Sequence, residues 1–265
     1  MAKKGLRAWV KENWVDIANK KSDGSYPKCG RSKGEKRKNY PKCVPIAKAR
    51  AMSKGQKAGA VRRKQAEKIK DDVIQWSKNV LEPMNKHLGF PACPFAAKWR
   101  KDKKLRIEVR PDKSKYEKHL TNILKDWNKK QHDIIIFCDP YWEQYDEEQF
   151  QDKIDFYNKT YNRRDVYFMG FHPNNPATVE EQEFLVNPTD DCDWEPEYQY
   201  SMMLVQKFKQ LYEASCKLHK IGYYEKWPEE YYEDVVAERQ RTYEKLFKKE
   251  QKHGTNEKTS HEARR

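Results

Sequence analysis

The chain has 265 residues, 55 of them Lys or Arg and 41 Asp or Glu, a net charge of +14. No run of 18 apolar residues occurs, which excludes a membrane-spanning helix, and no apolar stretch follows Lys3, Lys4 and Arg7, so a secretory signal is not expected. Six cysteines in a chain of this length are too sparse for a disulfide scaffold, and reduced thiols in a cytoplasm are the expectation.

The charge is confined to one segment. Residues 1–68 hold 21 Lys/Arg and 5 Asp/Glu, a net of +16, leaving 34 basic and 36 acidic residues, a net of −2, in the remainder. The sequence therefore divides into a basic module over 1–68, an α/β domain over 69–250 and a polar, disordered tail over 251–265. Such a density of positive charge repels itself unless an anionic partner sits on it, and nucleic acid is the commonest such partner.

Leu6, Trp9, Val10, Trp14 and Ile17 recur at helical spacing and predict an amphipathic helix over 6–17. Residues 18–45, rich in Gly and Pro, predict loops with at most a short hairpin. Tyr-Pro-Lys-Cys occurs there twice, at 26–29 and 40–43, and suggests paired turns with Cys29 and Cys43 as small apolar contacts beneath them. A zinc site is the sharper alternative, but residues 1–68 offer no histidine and no CxxC pair, so no metal is assigned. Ser53 and Gln56 have capping-box spacing and predict a helix that runs on through Val73, Trp76 and Val80, so the domain boundary falls in a helix or helical hinge.

Beyond it the pattern alternates. Strands are predicted at 105–110, 133–138 and 165–171, and helices at 113–129, 146–161, 197–219 and 228–249. The unbroken run Ile134, Ile135, Ile136, Phe137 marks a strand buried on both faces. The fold class is α/β: about three core strands in two or three layers, with C-terminal helices.

Two motifs fall beside these strands, Cys93-Pro94-Phe95-Ala96 before the first and Phe171-His172-Pro173 after the third. Open α/β sheets place ligands at the carboxyl ends of parallel strands. Cys93, His172 and Asn187 are thus candidate catalytic residues, a thiol beside an imidazole being a known nucleophilic pair. The plainer readings are a buried Cys and a turn with a satisfied imidazole. The acidic run Asp190, Asp191, Asp193, Glu195, Glu197 lacks the glycine and closing Glu of a calcium loop and reads as a solvated surface.

In the basic module, Lys33, Lys36, Arg37, Lys38, Arg62, Arg63 and Lys64 are candidates for backbone phosphates, with Tyr26 and Tyr40, or Trp14, as stacking surfaces. No base-reading motif accompanies them, so DNA and RNA remain equal alternatives beside an acidic protein surface.

Two resemblances attach to these residues. The order Cys93-Pro94-Phe95-Ala96, Asp155-Phe156-Tyr157-Asn158, Phe171-His172-Pro173, Asn187-Pro188 resembles the bacterial domain of unknown function 1415, over roughly 72–205. That family's Arg-Ser-Pro stretch and second His have no counterpart after Asn187, where Thr189, Asp190 and Asp191 stand. Residues 5–65, with Gly24-Ser25-Tyr26, Lys28-Cys29-Gly30-Arg31, Tyr40-Pro41-Lys42-Cys43-Val44-Pro45 and Val61-Arg62-Arg63-Lys64, are similar to domain of unknown function 5872, a Lys-rich module of phages and microbes. The latter implies a viral accessory protein, in a host cytoplasm or a virion. The leading expectation is a nucleic-acid-associated protein whose α/β domain binds a small ligand or protein partner, with no cofactor and no membrane. A Cys/His enzyme and a minor virion component are the alternatives.

Overall fold

A computed structural model describes residues 12–30, 41–113, 116–127, 132–174 and 199–248. Outside these lie the start of the expected first helix, Lys33 to Tyr40, Asn187 with the acidic run, and the tail. The chain forms two compact units, Met1–Asp71 and Asp72–Arg265, and the division falls inside one helix, Lys54–Trp76. Among the described residues no helix is long and apolar enough to cross a membrane.

Unit 1 is built on β1 (Trp14–Asp16), which pairs antiparallel with β2 (Cys43–Pro45) in the register Val15↔Val44. The helix expected over 6–17 is corrected where it is described. Asn13 has φ 46°, which a helix interior does not hold, and the buried Asp16 carboxylate fixes an extended chain that turns at once. Its oxygens accept from the amides of Ala18 and Lys42, both at 3.0 Å, and from Asn19 Nδ2 at 2.8 Å. The described residues of the two tetrapeptides, 26–29 and 41–43, lie on either side of β1. Lys28 bridges to Val15 on one side and Cys43 pairs with Asp16 on the other.

Cys29 and Cys43 form a disulfide, with their Cα atoms 5.7 Å apart. This corrects both the expectation of reduced thiols and the reading of these two as simple apolar contacts, and it takes both sulfurs away from zinc. The physical reason is size. The described core of the unit is Val15, Ile17, Val44, Ala49 and Ala60, and so small a core rarely holds a fold without a staple. Two helices follow, α1 (Ile46–Ala51) and α2 (Lys54–Trp76). The capping box at the head of α2 is formed: Gln56 Oε1 accepts from the Ser53 amide at 2.8 Å, and Ser53 Oγ from the Gln56 amide at 3.2 Å.

Unit 2 opens with a wide π-helical turn, Ser77–Leu81, and a small hairpin, β3 (Met84–Asn85) with β4 (Phe90–Pro91). A short helix, α3 (Ala96–Lys101), leads to the main sheet. Its strands are β5 (Leu105–Val109), β6 (Ile134–Asp139), β7 (Val166–Phe171) and β8 (Ser201–Lys207), in the order β5-β6-β8-β7. β5 and β6 are parallel, and β8 is antiparallel to both β6 and β7. The three expected strands thus share one sheet and one direction. The fold is α/β.

β8 corrects the helix expected from residue 197 onward, over its described residues 201–207. Met202, Met203, Leu204 and Val205 form a continuous apolar run, which periodicity alone does not assign to helix or strand. A central strand must be apolar on both faces. The register puts Met203 beside Phe137 and Val205 beside Ile135 and Phe168 on one face, and Leu204 beside Ile136 and Met169 on the other.

α4 (Tyr116–Trp127) and α5 (Glu147–Tyr161) cover the first face. Leu120, Ile123 and Trp127 of α4, and Phe150, Ile154 and Tyr157 of α5, join Ile135, Phe137, Phe168, Met203 and Val205 in one buried cluster. α5 also closes the outer edge of β7: Asn158 donates to the Phe168 carbonyl at 3.0 Å and accepts from its amide at 2.9 Å. That satisfies backbone groups an edge strand otherwise exposes. Over the second face lie α6 (Phe208–Lys220) and a C-terminal helical run. The run comprises α7 (Glu229–Tyr232), a π-helical segment Glu233–Ala237, α8 (Glu238–Tyr243) and a second π-helical segment Glu244–Lys248. Phe208 anchors this layer, 4.8 Å from the Tyr167 ring and 5.1 Å from that of Tyr243.

Candidate functional site

The directions of β5, β6 and β7 bring the residues just beyond them to one end of the sheet. Arg110 follows β5, Asp139 ends β6 and His172 follows β7. Arg110 Nη1 donates to Asp139 at 2.7 Å, with both side chains almost fully buried. Arg110 Nη2 also donates to the Lys113 carbonyl. Asp139 accepts in addition from the Tyr141 amide at 2.9 Å. This cation is neutralised, and its role is to fasten two strand ends.

A cavity of about 1010 Å³ occupies the second face of the sheet and reaches the edge at β7. β7 and β8 contribute Tyr167, Met169, Leu204 and Gln206 to its wall, and the C-terminal layer contributes Tyr224, Trp227 and Arg239. Cys93 and His172 line the same cavity. Among the described residues no hydrogen bond joins them. The Nδ1 of His172 accepts from the Asn174 amide at 3.3 Å, and its Nε2 lies 3.1 Å from the Tyr145 carbonyl. The tautomer protonated on Nε2 satisfies both contacts. The ring is buried between Phe150 and Trp142, 5.6 and 5.5 Å away. Burial pushes the Cys93 thiol up from its ordinary value, and the amides of Phe95 and Ala96 offset only part of that. A reactive cysteine needs the opposite shift. The half-buried thiol lacks that shift, and each nitrogen of the imidazole is engaged.

Arg239 is the residue that sequence reasoning missed. It stands in the polar stretch Glu238-Arg239-Gln240-Arg241, which reads as an exposed helix face. Yet Val236, Arg239 and Tyr243 share a face at helical spacing and are all buried, Arg239 being 6% exposed. That spacing was the available signal. Nη2 of Arg239 donates to Ser215 Oγ at 2.9 Å, Nη1 lies 4.0 Å from the Met169 sulfur, and the Tyr224 hydroxyl is a further hydrogen-bond partner of the guanidinium. Nε has no hydrogen-bond partner. Burial depresses the basicity of this guanidinium, and the groups that counter it are the phenols of Tyr167, Tyr224 and Tyr231.

Within unit 1, Arg62 and Arg63 stand exposed on α2 with Lys54 and Lys70 on the same helix, while Lys64 is half-buried and lies 3.6 Å from Glu67. Lys20, Lys28, Lys48 and Arg50 are exposed elsewhere on the unit. Tyr26 is not presented as a free stacking surface. It packs on the unit's core with the Lys57 ammonium 5.3 Å above its ring. Trp14 is half-buried on β1. No family model matches the chain, and no curated protein and no solved structure matches it.

Proposed function

We propose that this chain is a nucleic-acid-associated binding protein. Its basic unit rests on a phosphate backbone, and its α/β unit holds an organic ligand in the cavity behind the sheet. The observation that carries this reading is the separation of means: a net of +16 over 1–68 against −2 over the remainder, with the cavity lined entirely by residues of unit 2. Nine exposed Lys and Arg side chains on the described part of unit 1 (residues 20, 21, 28, 48, 50, 54, 62, 63 and 70) exceed what solubility requires. Their partner is polyanionic, and phosphate contacts of this kind carry little sequence preference. The resemblance to the Lys-rich phage module accords with an accessory role in a virus.

Fluorescent DNA and RNA of equal length test this on the full chain. Binding should weaken linearly in a log–log plot of affinity against salt, with a slope near −0.9 per phosphate neutralised on duplex DNA. Reversing Arg62 and Arg63 to Glu together should weaken binding and flatten the slope by about two contacts. Binding that ignores salt, or that survives the double reversal unchanged, would remove the nucleic-acid reading.

An enzyme acting through Cys93 and His172 finds less support. The thiol is shifted away from the thiolate, and the imidazole has no free nitrogen with which to take its proton.

A further inference from the structure

A buried charge without a partner is costly, and proteins ordinarily pair it or leave it out. Among its described residues unit 2 has two buried arginines, and they differ on this point. Arg110 has Asp139 at 2.7 Å. Arg239 has no carboxylate within ion-pair distance among the described residues. Its contacts are a serine hydroxyl at 2.9 Å, a thioether sulfur at 4.0 Å, the hydroxyl of Tyr224 and the face of Tyr167, 5.9 Å from the guanidinium carbon, all of them uncharged. Ser215 does not depend on it, because the hydroxyl also donates to the Leu211 carbonyl at 3.0 Å. The acidic residues that line the same cavity on α5 and the C-terminal run, Asp155, Asp234 and Glu238, are exposed rather than buried beside the guanidinium.

The surroundings of Arg239 are those of a binding wall. It lines the cavity of about 1010 Å³, the upper end of what pockets for organic ligands of roughly drug size occupy. Tyr167, Tyr224, Trp227 and Tyr231 line the same space, and aromatic faces suit a flat or aliphatic apolar body. The helix that carries Arg239 is flanked by π-helical segments on both sides, Glu233–Ala237 and Glu244–Lys248, an irregularity often found at functional sites.

We infer that Arg239 is the anion anchor of this cavity, and that its ligand is an organic anion: one carboxylate, sulfonate or phosphate carried on an apolar body. The guanidinium stands in the cavity wall with no carboxylate among the described residues to balance it, and arginine is the side chain best suited to take up a carboxylate, sulfonate or phosphate there. The apolar body lies against the tyrosines and Trp227. The charge is tolerated in the empty cavity and neutralised when the ligand enters. This rests on the ligand-binding reading of unit 2 given above and is independent of the nucleic-acid reading of unit 1.

Two fluorescent probes with the same aromatic body test it on the full chain. Anilinonaphthalene sulfonate carries an anionic group, and N-phenylnaphthylamine is its uncharged counterpart. Titrations at about 0.5 M salt suppress attraction of the sulfonate to the exposed lysines of unit 1. The sulfonate should bind one per chain and at least about tenfold tighter than the neutral probe. Arg239→Met should abolish that advantage and leave binding of the neutral probe intact. Decanoate should displace the sulfonate, and inorganic phosphate at the same concentration should not.

If neither probe binds, the ligand-cavity reading itself falls. If both bind equally, or if Arg239→Met spares the preference for the sulfonate, the cavity stands and the anion anchor is overturned. Equal displacement by inorganic phosphate would overturn the organic body. Thermal melting supplies a readout that does not need a probe. Arg239→Met should keep or raise the melting temperature of the ligand-free chain, since an apolar side chain replaces an unpaired buried charge. A large fall, or failure to fold, would make Arg239 a structural residue and overturn the inference.

Discussion

Unit 1 gathers five buried apolar side chains into one cluster among its described residues and fastens the segments on either side of β1 with a disulfide. Unit 2 buries thirteen in one cluster between its sheet and two helices, and its described cysteines, 93, 138 and 216, stand outside any disulfide. The difference follows from size and charge. A short, highly basic segment has few apolar residues to bury and a self-repulsion to overcome, so a covalent bond and a buried Asp16 hub take the place of a larger core. The α/β unit has core to spare. It can therefore carry features that cost stability, a cavity and a buried arginine with no carboxylate beside it among the described residues, of a kind that binding sites need and cores avoid.

The largest effect expected lies in unit 2, at its paired arginine. Asp139→Ala leaves Arg110 buried and uncompensated, and should cost about 3–5 kcal/mol. The double substitution of Arg110→Met with Asp139→Leu should recover most of that, because no charge is left over. Denaturant titration of the three proteins measures both. A small cost for Asp139→Ala would mean that Arg110 is as free of its partner as Arg239 is, and the contrast between the two arginines would disappear.

The next effect lies in unit 1. The bond between Cys29 and Cys43 closes a loop with a sequence separation of 14, and the chain-entropy estimate for a loop of that length is about 3 kcal/mol. Reductant, or Cys29→Ala with Cys43→Ala, should therefore accelerate amide exchange at Asp16, Ile17 and Cys29, whose N–H groups bond across β1 or to the segments beside it. Exchange at the β6 and β8 amides of unit 2 should not change. Unaltered exchange in unit 1 would show that the Asp16 hub and the small core suffice without the staple.

Much of the fold was readable before any coordinates. Ile134–Phe137 and the alternation of strands and helices gave the sheet, and Ser53 with Gln56 gave a helix start. Other features required tertiary context. Met202–Val205 is apolar without a period, and only its place between β6 and β7 makes it a strand. Cys29 and Cys43 have no pairing signal of their own; the folding of both tetrapeptides against β1 brings them together. At the site, Cys93 and His172 line one cavity, but their environments, a thiol pushed up by burial and an imidazole bonded at both nitrogens, are not visible in a motif. Arg239 was hidden by its polar neighbours, and its helical spacing with Val236 and Tyr243 was the one clue.

The smallest effect tests how β7, which supplies a wall of the cavity, is held in place. Gly170 sits where a Cβ would lie 2.8 Å from Ile154 Cγ1 and 2.9 Å from Phe150 Cε1. Those side chains belong to the buried cluster under the sheet, so they have little room to give. Gly170→Ala should overpack the contact between β7 and α5 and cost about 1–3 kcal/mol. In an Ile154→Ala background the same change should cost clearly less, since the space it needs has been opened, and a double-mutant cycle measures the coupling. A cycle with no coupling would mean that α5 does not press on β7 at this point. The neighbouring Met169 points to the opposite face, toward Arg239, so a shift of β7 should also weaken binding of the sulfonate probe, even though Gly170→Ala adds its methyl on the other side of the strand.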